Sequence, residues 1–141
     1  MILIDTNVIS ELWKIQPHAG VLAWIDAQAI ETLYLSAITV AELRFGVATM
    51  PEGKRRTIYQ ERLENEVLAM FADRVLPFGA AQAQAYAVLL ARARLQGKAI
   101  APADGYIAAT AASRGLMVVT RDTGPFEAAG LTVINPWNSP H

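Results

Sequence analysis

Four acidic residues follow segments that have the pattern of buried strands or of the helices that such strands feed. They are Asp5, Glu42, Asp104 and Asp122. The carboxyl ends of parallel strands meet at one edge of an open α/β sheet, and such sheets bind their ligands there. Carboxylates that share one pocket repel each other and stay ionised only around a cation. Because oxygen donors without histidine or cysteine favour Mg²⁺ or Mn²⁺, the pattern indicates a site for one of these ions.

Three of these acids also have an ordinary structural explanation. Asp5 is a good N-cap for a helix that begins in VISELW. Thr39 and Glu42 have capping-box spacing, so a helix start and a metal ligand are equally open interpretations of Glu42. Asp122 lies in the turn-forming segment TRDTGPF, where an Asx turn or a helix cap is the simpler role.

Asp104 is the acid that is hardest to explain by structure alone. The segment IAPADGYIAATAA contains no other charge, and its helical pattern is apolar almost all round, which predicts burial. Pro102 suits the first helical position, so Asp104 lies near N3, where the helix dipole stabilises an acid by about 0.3–1 kcal/mol. Burying an unpaired carboxylate costs several kcal/mol more than that. The segment therefore favours a metal ion or a distant cationic partner.

Strands and helices alternate around these acids. Strands are predicted at 2–4, 33–38, 74–78, 116–120 and 131–135, and helices from near Pro17, over 40–50, along the amphipathic stretch 52–72, from Ala80 to about Gln96, and along PADGYIAATAAS. This alternation predicts an α/β fold with three α/β/α layers and a central, mostly parallel sheet of about five strands.

Length and composition limit the class of protein. The chain has 141 residues, 53% of them hydrophobic, which predicts one globular domain over 1–141. The net charge of −1 is not that of a protein that coats nucleic acid by bulk electrostatics. The absence of cysteine excludes disulfides and thiolate zinc sites. Without a membrane-length apolar run or a signal-like start, we expect a cytoplasmic protein with no membrane partner.

Five segments, in this order, resemble the PIN-domain family of metal-dependent ribonucleases, and within it the VapC and FitB type toxins. The segments are ILIDTNVISEL, YLSAITVAELRFGV, IAPADGYIAATA, VVTRDTGPF and VINPW. The resemblance covers essentially the whole chain and implies a single PIN domain over 1–141. It places metal binding and catalysis on Asp5, Glu42, Asp104 and Asp122, with Asp5 and Asp104 as direct ligands and the other two acting directly or through water. It places supporting polar side chains at Thr6, Asn7 and Thr120.

The same resemblance implies a function. It implies an Mg²⁺- or Mn²⁺-dependent endoribonuclease, the toxin of a type II toxin–antitoxin pair, that hydrolyses RNA with metal-activated water. It also implies a homodimer and a small antitoxin with a DNA-binding domain, through which alone the toxin would contact DNA. The alternative is a largely non-catalytic subunit of a DNA-bound repressor complex, and the intact set of four acids favours the enzyme. A histidine-pair ribonuclease is disfavoured, because His18 and His141 lie in a loop and at the chain end.

Further residues are candidates for substrate and partner contacts. Arg121, beside the acids, is a possible phosphate contact or the partner of a neighbouring acid. GKRR at 53–56 and Arg44 either hold backbone phosphates or belong to a solvated helix surface. A set of apolar helical side chains suggests either a partner surface or ordinary core packing; the set is Phe45, Val47, Met50, Leu63 and Val67.

Overall fold

A central sheet of five parallel strands organises the chain in a computed structural model that describes residues 1–138. The strands are β1 (Ile2–Ile4), β2 (Leu33–Ser36), β3 (Val75–Leu76), β4 (Met117–Val119) and β5 (Val133–Ile134). Their order is β3-β2-β1-β4-β5, and every pairing is parallel. The predicted fold class is confirmed, with an all-parallel sheet. His141 lies outside the described residues.

Eight α-helices connect and cover the strands in the described part of the chain. They are α1 (Thr6–Leu12), α2 (Ala19–Asp26), α3 (Ala37–Ala48), α4 (Lys54–Arg62), α5 (Leu68–Met70), α6 (Ala80–Leu95), α7 (Pro102–Arg114) and α8 (Gly124–Ala128). A 3₁₀ turn at Ile30–Thr32 precedes β2. Among residues 1–138, none of these helices has the length and hydropathy that a membrane crossing requires.

The two faces of the sheet carry separate hydrophobic clusters. Successive residues of a strand point to opposite faces, and in β1 the side chains of Ile2 and Ile4 join one cluster while Leu3 joins the other. The first cluster contains side chains of α1, α2 and α3, and the second contains side chains of α7 and α8. The sheet is therefore covered on both faces, as its uninterrupted apolar strands indicate.

The amphipathic stretch 52–72 is not one continuous helix. After α4 the chain makes a π-helical turn, Leu63–Val67, and then continues into α5. Leu63 and Leu68 both lie in the core, and the N–H of Leu68 donates to the carbonyl of Leu63. A hydrogen bond from residue i+5 to residue i brings these two side chains onto one face, which the α-helical period does not do.

The apolar side chains suggested as a partner surface divide between core and surface. Val47 and Leu63 are buried, with Leu63 only 1% exposed. Met50 and Val67 are half-buried. Phe45 is the exposed member, at 69%. Core packing is thus the correct explanation for much of this set.

Candidate functional site

Asp5 lies at the carboxyl end of the strand from which the sheet extends in both directions. β1 pairs with β2 on one side and with β4 on the other, and such a switch point opens the crevice in which α/β sheets bind ligands. The backbone N–H of Asp5 donates to the carbonyl of Val119 at 3.0 Å. Its carboxylate accepts from the N–H of Thr6 at 2.8 Å, so Asp5 is also the N-cap of α1.

The Asp5 carboxylate is buried. The residue is 4% exposed, and its second carboxylate oxygen accepts from the Thr120 hydroxyl at 2.8 Å. Burial raises the pKa of Asp5 to about 6 despite the opposing hydrogen bonds from Thr120 and Thr6, and the charges of Asp104 and Glu42 raise it further. Among residues 1–138, no cationic side chain lies within 4.0 Å of this carboxylate to compensate its charge when it is ionised.

Asp104 enters the same crevice from the first turn of α7. Ala101 is the N-cap and Pro102 the first helical residue, so Asp104 is at N3 as predicted. The expected burial is wrong: Asp104 is half-buried, because the buried side of α7 begins only at Gly105. Partial burial raises the pKa of Asp104, and the charges of Asp122 and then Glu42 raise it further.

Glu42 is not a capping residue. Ser36 caps α3 by accepting from the N–H of Ile38 at 3.0 Å, so the helix begins earlier than predicted and Glu42 lies in its second turn. The capping-box interpretation is therefore wrong. The Glu42 side chain is exposed and accepts from the Thr6 hydroxyl at 2.7 Å. This bond ties Glu42 to the residue after Asp5.

Thr120 and Asn7 connect the start of α1 to the segment after β4. Thr120 is fully buried, and its hydroxyl accepts from the Nδ2 of Asn7 at 3.2 Å and from the N–H of Asp122 at 3.1 Å. The Oδ1 of Asn7 accepts from the N–H of Arg121 at 3.2 Å. These contacts place the polar residues around Asp5, where a supporting role requires them.

Asp122 is the outermost of the four acids. It is exposed, and the N-cap of the following helix α8 is Thr123, so the interpretation of Asp122 as a helix cap is wrong. Its charge raises the pKa of Asp104, which shows that the two carboxylates lie near each other.

These residues surround a pocket of about 460 Å³. Of the four candidate acids, Asp5, Glu42 and Asp104 line it and Asp122 does not. A further acid, Glu11, also lines it. Within residues 1–138, no three acidic or histidine side chains are arranged closely enough to hold a metal ion as they stand. The chemistry of the donor set nevertheless fits Mg²⁺ or Mn²⁺, because the pocket offers carboxylate oxygens without soft ligands and Asp5 forms no salt bridge within residues 1–138.

Glu11 and Lys14 also line this pocket, which the sequence did not indicate. Their three-residue spacing, at the end of α1 and just after it, is typical of a solvated surface pair. Glu11 is instead 7% exposed; its carboxylate accepts from Lys14 at 3.0 Å and from the N–H of His18 at 3.0 Å. The His18 contact depends on how the chain folds back after α1, so no local pattern reveals it.

His18 has a structural role. Its Nδ1 accepts from the N–H groups of Gly20 and Val21, at 3.1 and 3.3 Å, and so caps α2. This agrees with the expectation that catalysis does not depend on a histidine pair.

The basic candidates differ in availability. Arg44 forms a double hydrogen bond with Glu64, at 3.1 and 2.8 Å, and is already engaged by that carboxylate. GKRR forms the start of α4, where the Arg55 guanidinium lies over the Tyr59 ring at 5.5 Å. The interpretation of these residues as helix surface is therefore favoured over a phosphate site.

Comparison with known proteins identifies the class. The sequence matches the PIN domain over residues 2–131, and the chain belongs to the PIN-domain family. It is 69% identical over 137 residues to VapC ribonuclease Y4jK of Sinorhizobium fredii, covering 97% of this chain and 98% of that protein. It is 54% identical over 138 residues to toxin FitB of Neisseria gonorrhoeae, covering 98% and 99%. The resemblance to VapC and FitB type proteins is confirmed.

A solved structure confirms the fold at high similarity. The structure of FitAB bound to an IR36 DNA fragment superposes with a TM-score of 0.96 at 52% identity, covering 100% of this chain and 99% of that chain. The five-stranded architecture described above is thus that of the family.

Proposed function

We propose that this chain is a divalent-metal-dependent endoribonuclease and the toxin of a type II toxin–antitoxin pair. The observation that carries the proposal is the buried carboxylate of Asp5, which lies at the switch point of the sheet in a pocket that other carboxylates also line, and which forms no salt bridge within the described residues. The relative named VapC ribonuclease Y4jK, 69% identical over nearly the full length of both chains, supports the assignment to RNA. We also propose that residues 1–141 form a single PIN domain.

Asp5 and Asp104 would hold the ion directly, and Glu42 and Asp122 would act directly or through water. When bound, such an ion lowers the pKa of a water molecule and stabilises charge on the phosphate that is cut. Mg²⁺ and Mn²⁺ are the ions that fit this donor set, since the candidate ligands are all carboxylates.

Polar side chains orient the acids for this task. Thr120 and the N–H of Thr6 fix both oxygens of Asp5, and the Thr6 hydroxyl fixes Glu42. Asn7 holds Thr120 in turn. Because these donors lie on α1 and on the segment after β4, they keep the acids of separate elements in register with one another.

The proposed partners follow from the relatives. The similar solved structure is that of FitAB bound to an IR36 DNA fragment, so we propose that this chain binds a small antitoxin that carries a DNA-binding domain and contacts DNA only through it. We further propose a cytoplasmic homodimer. The alternative function, a largely non-catalytic subunit of such a DNA-bound complex, requires that the acids have no catalytic role.

Incubation of the purified, partner-free protein with defined RNAs tests the function. We expect internal cuts with Mg²⁺ or Mn²⁺, no cuts with EDTA, and products with 5′-phosphate ends. Asp5→Asn should abolish cutting with an unchanged far-UV circular dichroism spectrum, whereas Asp73→Asn, which alters a carboxylate that is 86% exposed, should cut normally. Equal cutting by wild type and Asp5→Asn would refute the enzymatic assignment.

Titration with the antitoxin tests the partner. We expect binding and loss of cutting to reach saturation at the same ratio. Tight binding of the antitoxin with undiminished cutting would contradict inhibition at or near the acid pocket.

A further inference from the structure

Two cationic side chains line the pocket that contains the acids. They are Lys14, just after α1, and Arg121, between the supporting Thr120 and the acid Asp122. Among residues 1–138, Arg121 forms no salt bridge within 4.0 Å. The hydrogen bond from Lys14 lowers the pKa of Glu11 most, and the charge of Arg121 contributes to the same shift, so the interaction of Arg121 with a neighbouring acid is a longer-range attraction and not a direct ion pair.

Arg121 is held at its backbone and at its guanidinium. Its N–H donates to Asn7, and its carbonyl accepts from the Nδ2 of Asn135 at 3.3 Å. The guanidinium lies over the ring of Trp137, 5.1 Å from the ring centroid. Trp137 is itself fixed, because its N–H donates to the Oδ1 of Asn135 at 2.9 Å. The cation is thus pre-positioned, and within the described residues 1–138 no acid lies within 4.0 Å of its guanidinium.

Lys14 is held by a buried anchor. Its Nζ lies 3.0 Å from the carboxylate of Glu11, whose other oxygen accepts from the N–H of His18. The Lys14 side chain is 61% exposed. Since an ammonium group has three donors and Glu11 accepts one, two remain for a ligand in the pocket.

We propose that Arg121 and Lys14 form a clamp for an RNA backbone phosphate that neighbours the one being cut, with Trp137 as the residue that positions Arg121. This inference rests on the proposed ribonuclease function. The pocket walls carry the carboxylates of four acids, so an incoming polyanion needs local positive charge beside them, and Lys14 and Arg121 supply it within the pocket itself. A guanidinium fixed on an aromatic face suits a phosphate, because its planar donors can bind two oxygens at once.

Steady-state cutting of an RNA that the wild type cleaves tests the clamp. We expect Arg121→Gln and Lys14→Gln each to raise KM about 10-fold while kcat changes less than about 3-fold, as loss of a ground-state contact requires. The slope of log(kcat/KM) against log salt should fall by about 0.7 for each lost phosphate contact.

Matched controls are cations that do not line the pocket. Arg114→Gln alters the last residue of α7, ten residues after Asp104 and so about 15 Å along the helix. Lys98→Gln alters an exposed lysine after α6. Both controls remove one positive charge, and both should keep the wild-type KM and salt slope.

Trp137 is tested by rescue. Trp137→Leu removes the aromatic face and should raise KM as Arg121→Gln does, whereas Trp137→Phe keeps a ring under the guanidinium and should restore most of the affinity. Melting curves show whether either variant is misfolded; a purely packing role would move stability and leave the salt slope unchanged.

The outcomes separate the two proposals. A wild type that cuts RNA, with Arg121→Gln and Lys14→Gln equal to their controls in KM and salt slope, overturns the clamp and leaves the ribonuclease function intact. A wild type that neither binds nor cuts any RNA overturns the proposed function and the clamp with it.

Discussion

Replacing Asp5 with asparagine should make the metal-free protein more stable near neutral pH and flatten its response to pH. Burial lifts the pKa of Asp5 from 3.8 to about 6 in the folded protein. A shift of about two units corresponds to about 3 kcal/mol between the protonated and ionised forms. Because the pKa of Asp5 is higher in the folded protein than in the unfolded chain, ionisation of Asp5 destabilises the fold. This destabilisation is fully present well above about pH 6, decreases as the pH drops through about 6, and is absent below the pKa of the unfolded chain.

The size of the effect follows from these two pKa values. When the pH is lowered from about 7.5 to about 5, protonation of Asp5 alone should raise the free energy of unfolding of the wild type by roughly 1–2 kcal/mol. Asp5→Asn should lack this gain. At about pH 7.5 the variant should be more stable by up to about 2 kcal/mol, since removal of the charge outweighs roughly 1 kcal/mol for the weakened bond from Thr120. The stability of the variant should still rise somewhat as the pH falls, because the pKa of Asp104 is raised as well.

Chemical denaturation in EDTA over this pH range measures the effect, and thermal melting should show it as about 5 °C. Asp73→Asn is the control, since it removes a carboxylate that is 86% exposed, and it should follow the wild type at every pH. If Asp5→Asn and wild type instead gain stability in parallel on acidification, Asp5 is not the strained carboxylate and the electrostatic argument for a metal fails.

Three further predictions concern the acids and the packing beneath them. Glu42→Gln should lower the cleavage rate about 10-fold or more, because Gln keeps the Thr6 contact but not the charge; a smaller loss in the RNA assay would return Glu42 to a structural role. Saturating Mg²⁺ or Mn²⁺, at about a hundred times Kd, should stabilise the wild type by about 2.7 kcal/mol. Asp104→Asn should erase most of this stabilisation without lowering the melting point of the metal-free protein. A variant that is destabilised without metal and is still stabilised by metal as the wild type is would contradict the shared site. Gly105→Ala should lower the melting point, since a Cβ there meets a Tyr86 ring carbon at 2.9 Å. Gly46→Ala, whose Cβ would meet nothing within 4 Å, should instead raise the free energy of unfolding by about 0.5–1 kcal/mol and the melting point with it. Equal shifts in the two variants would mean that α7 has room at its packed face.

The sequence by itself determined the strands, the order of the elements and the acids at their carboxyl ends. These features depend on local patterns: apolar runs for β1 and β4, Pro102 at N1 of α7, and a glycine with positive φ, Gly97, just past α6. Because parallel strands align their carboxyl ends, the meeting of Asp5, Glu42 and Asp104 at one pocket followed from the fold class, while Asp122 lies outside its lining.

Other features were decided only by tertiary structure. The start of α3 depends on which of two nearby hydroxyl residues accepts the first free N–H, and Ser36 rather than Thr39 does so. The π turn arises because both Leu63 and Leu68 must reach the core. In each case competing local patterns have similar energies, so packing makes the choice.

Of the two cations in the pocket, the sequence indicated Arg121 but not Lys14. The sequence also offered Arg44 as a phosphate contact, and only the structure shows that Glu64 engages Arg44 while Arg121 lies over Trp137 and lines the pocket. The spacing of Glu11 is typical of a surface acid. Glu11 is nevertheless buried, because the chain folds back after α1 and places the N–H of His18 against its carboxylate. These contacts join residues on different elements, so their geometry is set by how the elements pack rather than by any repeat along the chain.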